Sequence, residues 1–285
     1  MDINWYPGHM AKTRALIRDN LKMVDVVIEL IDARIPISSK NPEIDVILGN
    51  KPKVVALNKY DLSDNSVNIE WKKWYSDNGY TCIFVNSVTG AGMKDIKHQL
   101  RRVLSDKIQH RIDRGRIGTT IKTMVVGIPN VGKSTFINTL AGKKVAQTGD
   151  RPGVTKNKQW VRFDKEIELL DMPGILWPKF EDAEVGLNLA FTGAIKDDIL
   201  DTVELALKLL EKLKVTYHRF ISERYKVDFD QNVKVDELLQ QIALKRGCIA
   251  SGGKIDLNRM SLIFLDEFRA GKIGNISLER PIFNS

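Results

Sequence analysis

Short apolar runs alternate with amphipathic stretches through the first 170 or so positions of the chain. Five of these runs have the length of buried strands. They occupy positions 24–31, 53–57, 81–85, 122–126 and 167–170. Because stretches with helical character separate the runs, the pattern predicts crossover connections and a largely parallel sheet.

Two further stretches complete the predicted α/β domain. Positions 159–163 and 166–170 flank Asp164 and Lys165, which is the arrangement of a hairpin that adds an antiparallel edge to the sheet. Positions 3–22 are predicted to form a helix before the first strand.

The pattern changes after Gly174. Three later stretches have apolar residues at helical spacing, and no convincing strand lies between them. They are 200–213, 235–244 and 257–268. We therefore predict two domains: an α/β domain at 1–177 and a small all-helical domain at 178–285.

A complete phosphate-loop pattern follows the fourth apolar run. The segment from Gly127 to Ser134 matches G-x-x-x-x-G-K-S between a predicted strand and a predicted helix, the context that this pattern requires. Backbone N–H groups would close around phosphates, Lys133 would reach the β- and γ-phosphates, and the hydroxyl of Ser134 would bind Mg²⁺. An ordinary glycine-rich turn is the alternative. The residues predicted to bind nucleotide here are Asn130, Val131, Gly132, Lys133, Ser134 and Thr135.

A second phosphate-sensing element lies further along the chain. Asp171-Met-Pro-Gly174 ends the fifth apolar run, so that Asp171 would hold Mg²⁺ through water and the N–H of Gly174 would sense the γ-phosphate. Thr155 lies in the intervening loop and would complete the Mg²⁺ shell when a triphosphate is bound. D-x-x-G alone is a common turn, so this interpretation depends on its distance from the phosphate loop.

The tetrapeptide Asn58-Lys59-Tyr60-Asp61 follows the second apolar run and predicts recognition of guanine. The carboxylate of Asp61 can accept from both N1–H and the 2-amino group, a pair of donors that adenine lacks. Asn58 would recognise N7 and tie this loop to the phosphate loop. The stem of Lys59 would lie over the base.

A weaker signal follows the third apolar run at Asn86, Ser87 and Val88. A backbone N–H near Ser87 or Val88 can point at guanine O6. All five elements lie at predicted strand ends, and together they predict a GTP-binding domain. The base-reading elements precede the phosphate elements, and each half keeps its internal order. The usual order is therefore rotated, which indicates a circular permutation.

The chain resembles circularly permuted GTPases of the ribosome biogenesis GTPase A family. The resemblance extends from Trp5-Tyr-Pro-Gly-His-Met10, through Asp32-Ala-Arg-Ile-Pro36, to the helical C-terminal part. It implies a GTP hydrolase that acts late in assembly of the large (50S) ribosomal subunit, with rRNA and ribosomal proteins as partners and GTP state controlling association. A GTPase switch acting on another RNA or protein is the alternative. A membrane-linked switch and a non-enzymatic scaffold are the remaining ones.

Catalysis departs from the common pattern, because Ile175 stands where small GTPases often place a water-orienting glutamine. The resemblance implies a catalytic role for His9, and a capping or surface histidine is the alternative. It also implies that Asn130 helps to bind K⁺ as an activator; the alternative is that Asn130 only supports the loop. Arg34 or Arg151 can instead donate charge, although a structural or RNA-facing role is the stronger expectation for each.

The net charge of +8 and a pI near 9.3 favour a polyanionic partner. One basic segment contains Arg101, Arg102, Lys107, Arg111, Arg114, Arg116 and Lys122. Another contains Lys143, Lys144, Arg151, Lys156, Lys158 and Arg162. The stretch 105–120 within the first is predicted to be an exposed connection between the two halves of the α/β domain.

The remaining composition is that of a globular domain, with 43% hydrophobic and 28% charged residues. No apolar run approaches the ~18 residues of a membrane span, and we expect no signal peptide. Two cysteines are too few for a disulfide framework or a metal cage. We therefore expect a cytoplasmic monomer that binds GTP and GDP, with neither a membrane nor DNA as partner.

Overall fold

A computed structural model describes residues 9–115, 120–142, 159–177, 180 and 182–283, with the side chains from residue 11 onward. The described chain forms two compact units. Asp182–Ile276 form one of them, and the preceding residues together with 277–283 form the other. The predicted helical domain, 178–285, thus differs from the structure at its C-terminal end. The tail 277–283 belongs to the α/β unit because its polar groups bond there.

Six strands of the described chain form a single sheet in the first unit. They are β1 (Val26–Asp32), β2 (Lys53–Asn58), β3 (Cys82–Val85), β4 (Ile121–Gly127), β5 (Gln159–Arg162) and β6 (Ile167–Asp171). The strand order is β3-β2-β1-β4-β6-β5, and every pairing is parallel except that of β5 with β6. The predicted parallel sheet and its antiparallel edge hairpin are therefore confirmed.

Helices connect these strands as the crossover pattern requires. They are α1 (His9–Asn20), α2 (Pro42–Leu48), α3 (Asn65–Asp77), α4 (Asp95–Val103), α5 (Ser105–Asp113) and α6 (Lys133–Ala141), with short 3-10 helices at Leu21–Met23 and Tyr60–Leu62. The predicted exposed connection over 105–120 is helical in its first half, and α5 contains no buried residue. Polar and basic residues dominate α5, so its pattern does not stand out in the sequence.

Two apolar clusters hold the sheet and helices together. One packs Ile17 of α1 and Ile44 of α2 against strand residues such as Met124, and it also includes Ile175. The other packs the aromatic side chains of α3 against the residues of β1 and β2. All seven residues of β1 are buried, as expected for a central strand covered on both faces.

The second unit is helical, as predicted. It contains α7 (Ala183–Phe191), α8 (Thr202–Thr216), α9 (His218–Tyr225), α10 (Val235–Lys245) and α11 (Leu257–Arg269), and a 3-10 helix at Asp197–Ile199. The three predicted helices correspond to α8, α10 and α11, whereas α7 and α9 were missed. Among the described helices of both units, none is long and apolar enough to cross a lipid bilayer.

Candidate nucleotide-binding site

The carboxyl ends of four adjacent strands bring the predicted site residues to one edge of the sheet. Strand β2 ends at Asn58, β4 at Gly127 and β6 at Asp171, and β1 between them ends at Asp32. Loops beyond the carboxyl ends of parallel strands form the usual ligand crevice of such sheets. The base-reading and phosphate-binding halves are therefore neighbours in space, although more than 60 residues separate Asp61 from Gly127 in sequence.

The phosphate loop has the backbone conformation that close anion binding requires. Asn130 and Gly132 have φ values of 56° and 96°, and α6 begins directly after the loop at Lys133. A Cβ atom on Gly132 would lie 2.5 Å from Nδ2 of Asn58, and one on Gly127 would lie 2.6 Å from the carbonyl oxygen of Leu30. Neither position admits a side chain without movement of a neighbour, so both glycines are required for this packing.

Lys133 and Asp171 form the charged centre of the phosphate half. Both side chains are buried. Burial lowers the pKa of the Lys133 ammonium, and the charge of Asp171 acts in the opposite direction. Burial also raises the pKa of Asp171, against the effect of Lys133. A bound anion would stabilise the charged form of Lys133, and a bound cation would stabilise the charged form of Asp171.

A divalent cation fits the residues around Asp171. Oδ1 of Asp171 is buried and has no hydrogen-bond partner among the described residues. A buried, unsatisfied carboxylate oxygen is costly unless a ligand or an ordered water reaches it, and carboxylate and hydroxyl oxygens are the ligands that Mg²⁺ prefers. Ser134 lies half-buried in the first turn of α6, where its hydroxyl is suited to that role.

The segment after β6 lies directly against the phosphate loop. A Cβ atom on Gly174 would lie 2.9 Å from both N and Cα of Pro129, so only glycine fits there. The amide of Ile175 donates to the carbonyl oxygen of Gly127 at 3.2 Å. Ile175 and Leu176 are fully buried, which gives neither side chain access to a bound nucleotide.

The base-reading loop is bonded to the phosphate loop by two side chains. Nδ2 of Asn58 donates to the carbonyl oxygen of Val131, and Nζ of Lys59 donates to that of Asn130, each at 2.8 Å. Lys59 has a φ of 60°, which turns the chain sharply at the end of β2. Asp61 is exposed and Tyr60 partly exposed in the short helix that follows, and the ring of Tyr60 packs edge-on against Phe84.

The predicted loop at Asn86, Ser87 and Val88 is bonded to the same network. The amide and hydroxyl of Ser87 donate to Oδ1 of Asn58 at 3.1 and 2.8 Å. The amide of Val88 donates to Oδ1 of Asn86 at 2.8 Å, and the hydroxyl of Thr139 on α6 donates to the carbonyl oxygen of Ser87 at 2.5 Å. Both amides considered for guanine O6 therefore have an acceptor within the protein.

Sequence reasoning did not find the charged residues that hold Lys59. Nε and Nη2 of Arg34 bond both oxygens of Asp32 at 2.9 and 2.8 Å, and Oδ2 of Asp32 lies 3.2 Å from Nζ of Lys59. Burial opposes ionisation of Asp32, but the charges of Arg34 and Lys59 outweigh it and hold its pKa well below the usual range. Arg34 is 1% exposed and committed to this pair, which favours the structural role expected for it.

The structure describes no side chain for three of the predicted residues. Thr155 and Arg151 fall in the undescribed segment between α6 and β5. His9 is the first residue of α1, and its side chain is outside the described atoms. Thr135 follows Ser134 in α6 and is half-buried.

The fold and site together define a circularly permuted P-loop GTPase. Its phosphate loop, its D-x-x-G turn and its N-K-x-D loop meet at one sheet edge, and the strand that carries N-K-x-D precedes the strand that carries the phosphate loop. P-loop GTPases use the first two of these parts to hold phosphates and metal. The third is the predicted guanine-reading loop.

Comparison with known proteins identifies the family. The model of the 50S ribosome-binding GTPase family matches residues 122–235. The ribosome biogenesis GTPase A of Bacillus cereus is 46% identical over 99% of this chain and 95% of its own length, and that of Thermotoga maritima is 30% identical over 98% and 95%. The solved GDP-bound TM YlqF is 25% identical with a TM-score of 0.66, covering 93% of this chain and 99% of that chain. The chain belongs to the ribosome biogenesis GTPase A family, and it is a GTPase.

Proposed function

We propose that this GTPase is a late assembly factor for the large (50S) ribosomal subunit and that its GTP state controls its association with the pre-ribosome. The observation that carries the proposal is the 46% identity to the ribosome biogenesis GTPase A of Bacillus cereus over 99% of the chain. That similarity includes the helical unit as well as the nucleotide site. A relative that shared only GTP binding would resemble the first unit alone.

Mg²⁺ is the expected cofactor of hydrolysis. Ser134, Asp171 and Thr155 would hold it, and the buried, unsatisfied Oδ1 of Asp171 supports this assignment. When bound, the metal neutralises charge on the β- and γ-phosphates. K⁺ is the expected activator near Asn130, whose positive φ turns the loop at that point.

His9 is the expected positioning group for the attacking water. Ile175, directly after Gly174, cannot position this water because its side chain is aliphatic and fully buried. Intrinsic turnover is therefore slow, and the large subunit stimulates it. In this proposal the protein acts in the cytoplasm as a monomer, with rRNA and ribosomal proteins as partners, and without a membrane or DNA.

The test compares GTP hydrolysis by the wild type, His9→Ala and His98→Ala, each with and without purified large subunits, in K⁺ and in Na⁺ buffer. His98 is an exposed histidine on α4 and serves as the matched control. We expect subunits to accelerate the wild type and His98→Ala in K⁺. His9→Ala should retain nucleotide and subunit binding without acceleration. A wild type that neither binds nor responds to subunits would replace this proposal with a switch acting on another RNA or protein.

A further inference from the structure

A second charged feature lies at the opposite edge of the sheet from the nucleotide site. It is a cleft of about 530 Å³ at the start of β1 and β4 and just before β2. The residues that line it are Lys22, Met23, Val24, Asp25, Lys51, Lys107, Arg111, Thr120 and Lys122. Because β1, β2 and β4 are parallel and β1 has seven residues, the length of a strand, about 20 Å, separates this cleft from the phosphate loop.

Asp25 fixes one wall of the cleft. Its carboxylate accepts from Arg111 at 2.6 Å, pairs with Lys107 at 2.6 Å and accepts from the amide of Lys122 at 3.0 Å. Burial opposes ionisation of Asp25, but these hydrogen bonds outweigh it and lower its pKa. The carboxylate therefore stays charged and holds two cations of α5 at the cleft.

Positive charge exceeds negative charge in the lining. Five side chains are cationic and only Asp25 is anionic, which leaves an excess of four charges. Nζ of Lys51 donates to the carbonyl oxygen of Val24 at 3.0 Å. Burial and the nearby charge of Lys107 lower the pKa of Lys51, against the effect of Asp25. Like charges held this close favour an anion between them.

An aromatic side chain lies beside these cations. Nζ of Lys122 is 5.6 Å from the ring centroid of Trp160, and Trp160 is 38% exposed on the edge strand β5. Basic grooves with adjacent exposed aromatic rings are typical of single-stranded nucleic-acid binding, because phosphates pair with the cations while bases stack on the ring. Only Met23 and Val24 are apolar in the lining, which offers little to insert into a lipid surface.

We propose that this cleft binds the backbone phosphates of a single-stranded RNA segment, independently of the nucleotide site. The inference rests on the proposed function, which supplies RNA as the polyanion. RNA bound here would anchor the GTPase unit to its substrate particle and leave the opposite edge of the sheet to GTP.

The test replaces three cleft lysines in the full-length chain: Lys22→Gln, Lys51→Gln and Lys107→Gln. The matched control replaces three exposed lysines elsewhere and changes the net charge equally. It carries Lys72→Gln, Lys165→Gln and Lys254→Gln. Binding of a single-stranded RNA oligonucleotide and of purified large subunits is measured from 50 to 300 mM KCl. Thermal melting and labelled-GDP binding confirm that each variant is folded.

The cleft variant should bind RNA about 10-fold or more weakly, and the slope of log K against log salt should fall by about 0.7 for each lost phosphate contact. The control variant should match the wild type, and GDP affinity should stay within about twofold in both. Equal RNA affinity and slope in both triple variants would overturn the proposal. If the triple variant is unstable, Lys22→Gln alone, at an exposed position, decides between the same outcomes.

Two further measurements complete the test. The first shows whether the ligand is RNA or free phosphate, and the second separates failure of the RNA site from failure of the ribosomal assignment. If millimolar inorganic phosphate at constant ionic strength displaces the oligonucleotide, the cleft is a site for free phosphate rather than RNA. If the wild type binds the oligonucleotide through the cleft lysines but does not bind subunits, the ribosomal assignment fails while the RNA site stands.

Discussion

Nδ2 of Asn58 donates to the carbonyl oxygen of Val131 across a sequence separation of 73 residues. Oδ1 of the same side chain accepts from the amide and hydroxyl of Ser87. One buried amide thus joins both base-reading loops to the phosphate loop. The loops lie in different halves of the permuted chain, and this side chain connects them in space.

Asn58→Ala should therefore weaken nucleotide binding. The substitution leaves buried donors and acceptors of Ser87 and Val131 without partners, at a cost of about 1–3 kcal/mol. We expect labelled GDP to bind about 10- to 100-fold more weakly in fluorescence titrations. Asn65→Ala, at an exposed position at the start of α3, is the control and should bind GDP as the wild type does. Equal affinity in both variants would show that the loops hold together without Asn58.

Asp32→Asn should destabilise the protein most at neutral pH. The folded-state pKa of Asp32 lies below the ordinary value of 3.8, so its stabilisation is present above that value and is lost as pH falls towards the folded pKa. Removing the charge also leaves Arg34 buried without its partner, which costs about 3–5 kcal/mol. Urea unfolding should show that loss at pH 7 and a smaller one at pH 3.5.

The control for this variant is Asp77→Asn, at the exposed end of α3, which should change the free energy of unfolding by less than about 0.5 kcal/mol. A constant difference between wild type and Asp32→Asn at both pH values would mean that the charge of Asp32 is not responsible. Labelled-GDP binding by Asp32→Asn then reports whether Lys59 keeps its position without the carboxylate.

Glu279→Ala should loosen the C-terminal tail from the α/β unit. Its carboxylate accepts from the amides of Ile37 at 2.6 Å and Ser38 at 3.1 Å and from the hydroxyl of Ser38, and hydrogen bonds to a charged group contribute about 1.5–3 kcal/mol each. Because Ile37 is exposed and water can replace part of these bonds, we expect the free energy of unfolding of the α/β unit to fall by about 2 kcal/mol or more in urea titrations. Arg280→Ala removes a solvent-accessible ion pair with Glu70 and should cost below about 1 kcal/mol. Similar losses in both would assign the effect to the tail in general.

Asp171→Asn should stabilise the Mg²⁺-free protein while impairing its chemistry. The folded-state pKa of Asp171 is raised by burial even with Lys133 nearby, so its ionised form lowers stability above that pKa and the penalty vanishes below the unfolded pKa. Thermal melting at pH 7.5 without Mg²⁺ should show a higher Tm for the variant. Mg²⁺-dependent GTP hydrolysis should fall about 100-fold. Asp228→Asn, at an exposed site, should change neither quantity.

Periodic patterns and complete motifs account for what the sequence revealed. The apolar runs predicted the parallel sheet and the hairpin of β5 and β6, because burial on both faces leaves a continuous apolar signature. Helices α7 and α9 have only nine and eight residues, too few for a clear period, and were missed. The C-terminal tail 277–283 packs on the α/β unit because Glu279 accepts hydrogen bonds from amides about 240 positions away. Local sequence patterns do not indicate such long-range contacts.

In the site, too, local motifs could be predicted from the sequence, whereas long-range contacts could not. The phosphate loop and N-K-x-D are local in sequence, so their chemistry can be predicted from residue types and spacing. The pairing of Asp32 with Lys59 depends on the parallel register of β1 and β2, which places Asp32 opposite Asn58. The sequence did offer one signal for this ion pair. In Asp32-Ala-Arg34, a carboxylate and a guanidinium lie two positions apart at the end of a buried strand.

Ile175→Gln tests whether the residue after D-x-x-G can orient the attacking water. Glutamine is the residue that many small GTPases place after D-x-x-G, but Ile175 is fully buried in the cluster with Ile17 and Met124. An unpaired amide in that core should cost about 2–4 kcal/mol in urea unfolding without any gain in GTP hydrolysis. Ile175→Val, the control, should cost about 0.5–1.5 kcal/mol. A stable Ile175→Gln protein with faster hydrolysis would place this position at the γ-phosphate and remove the need for a histidine.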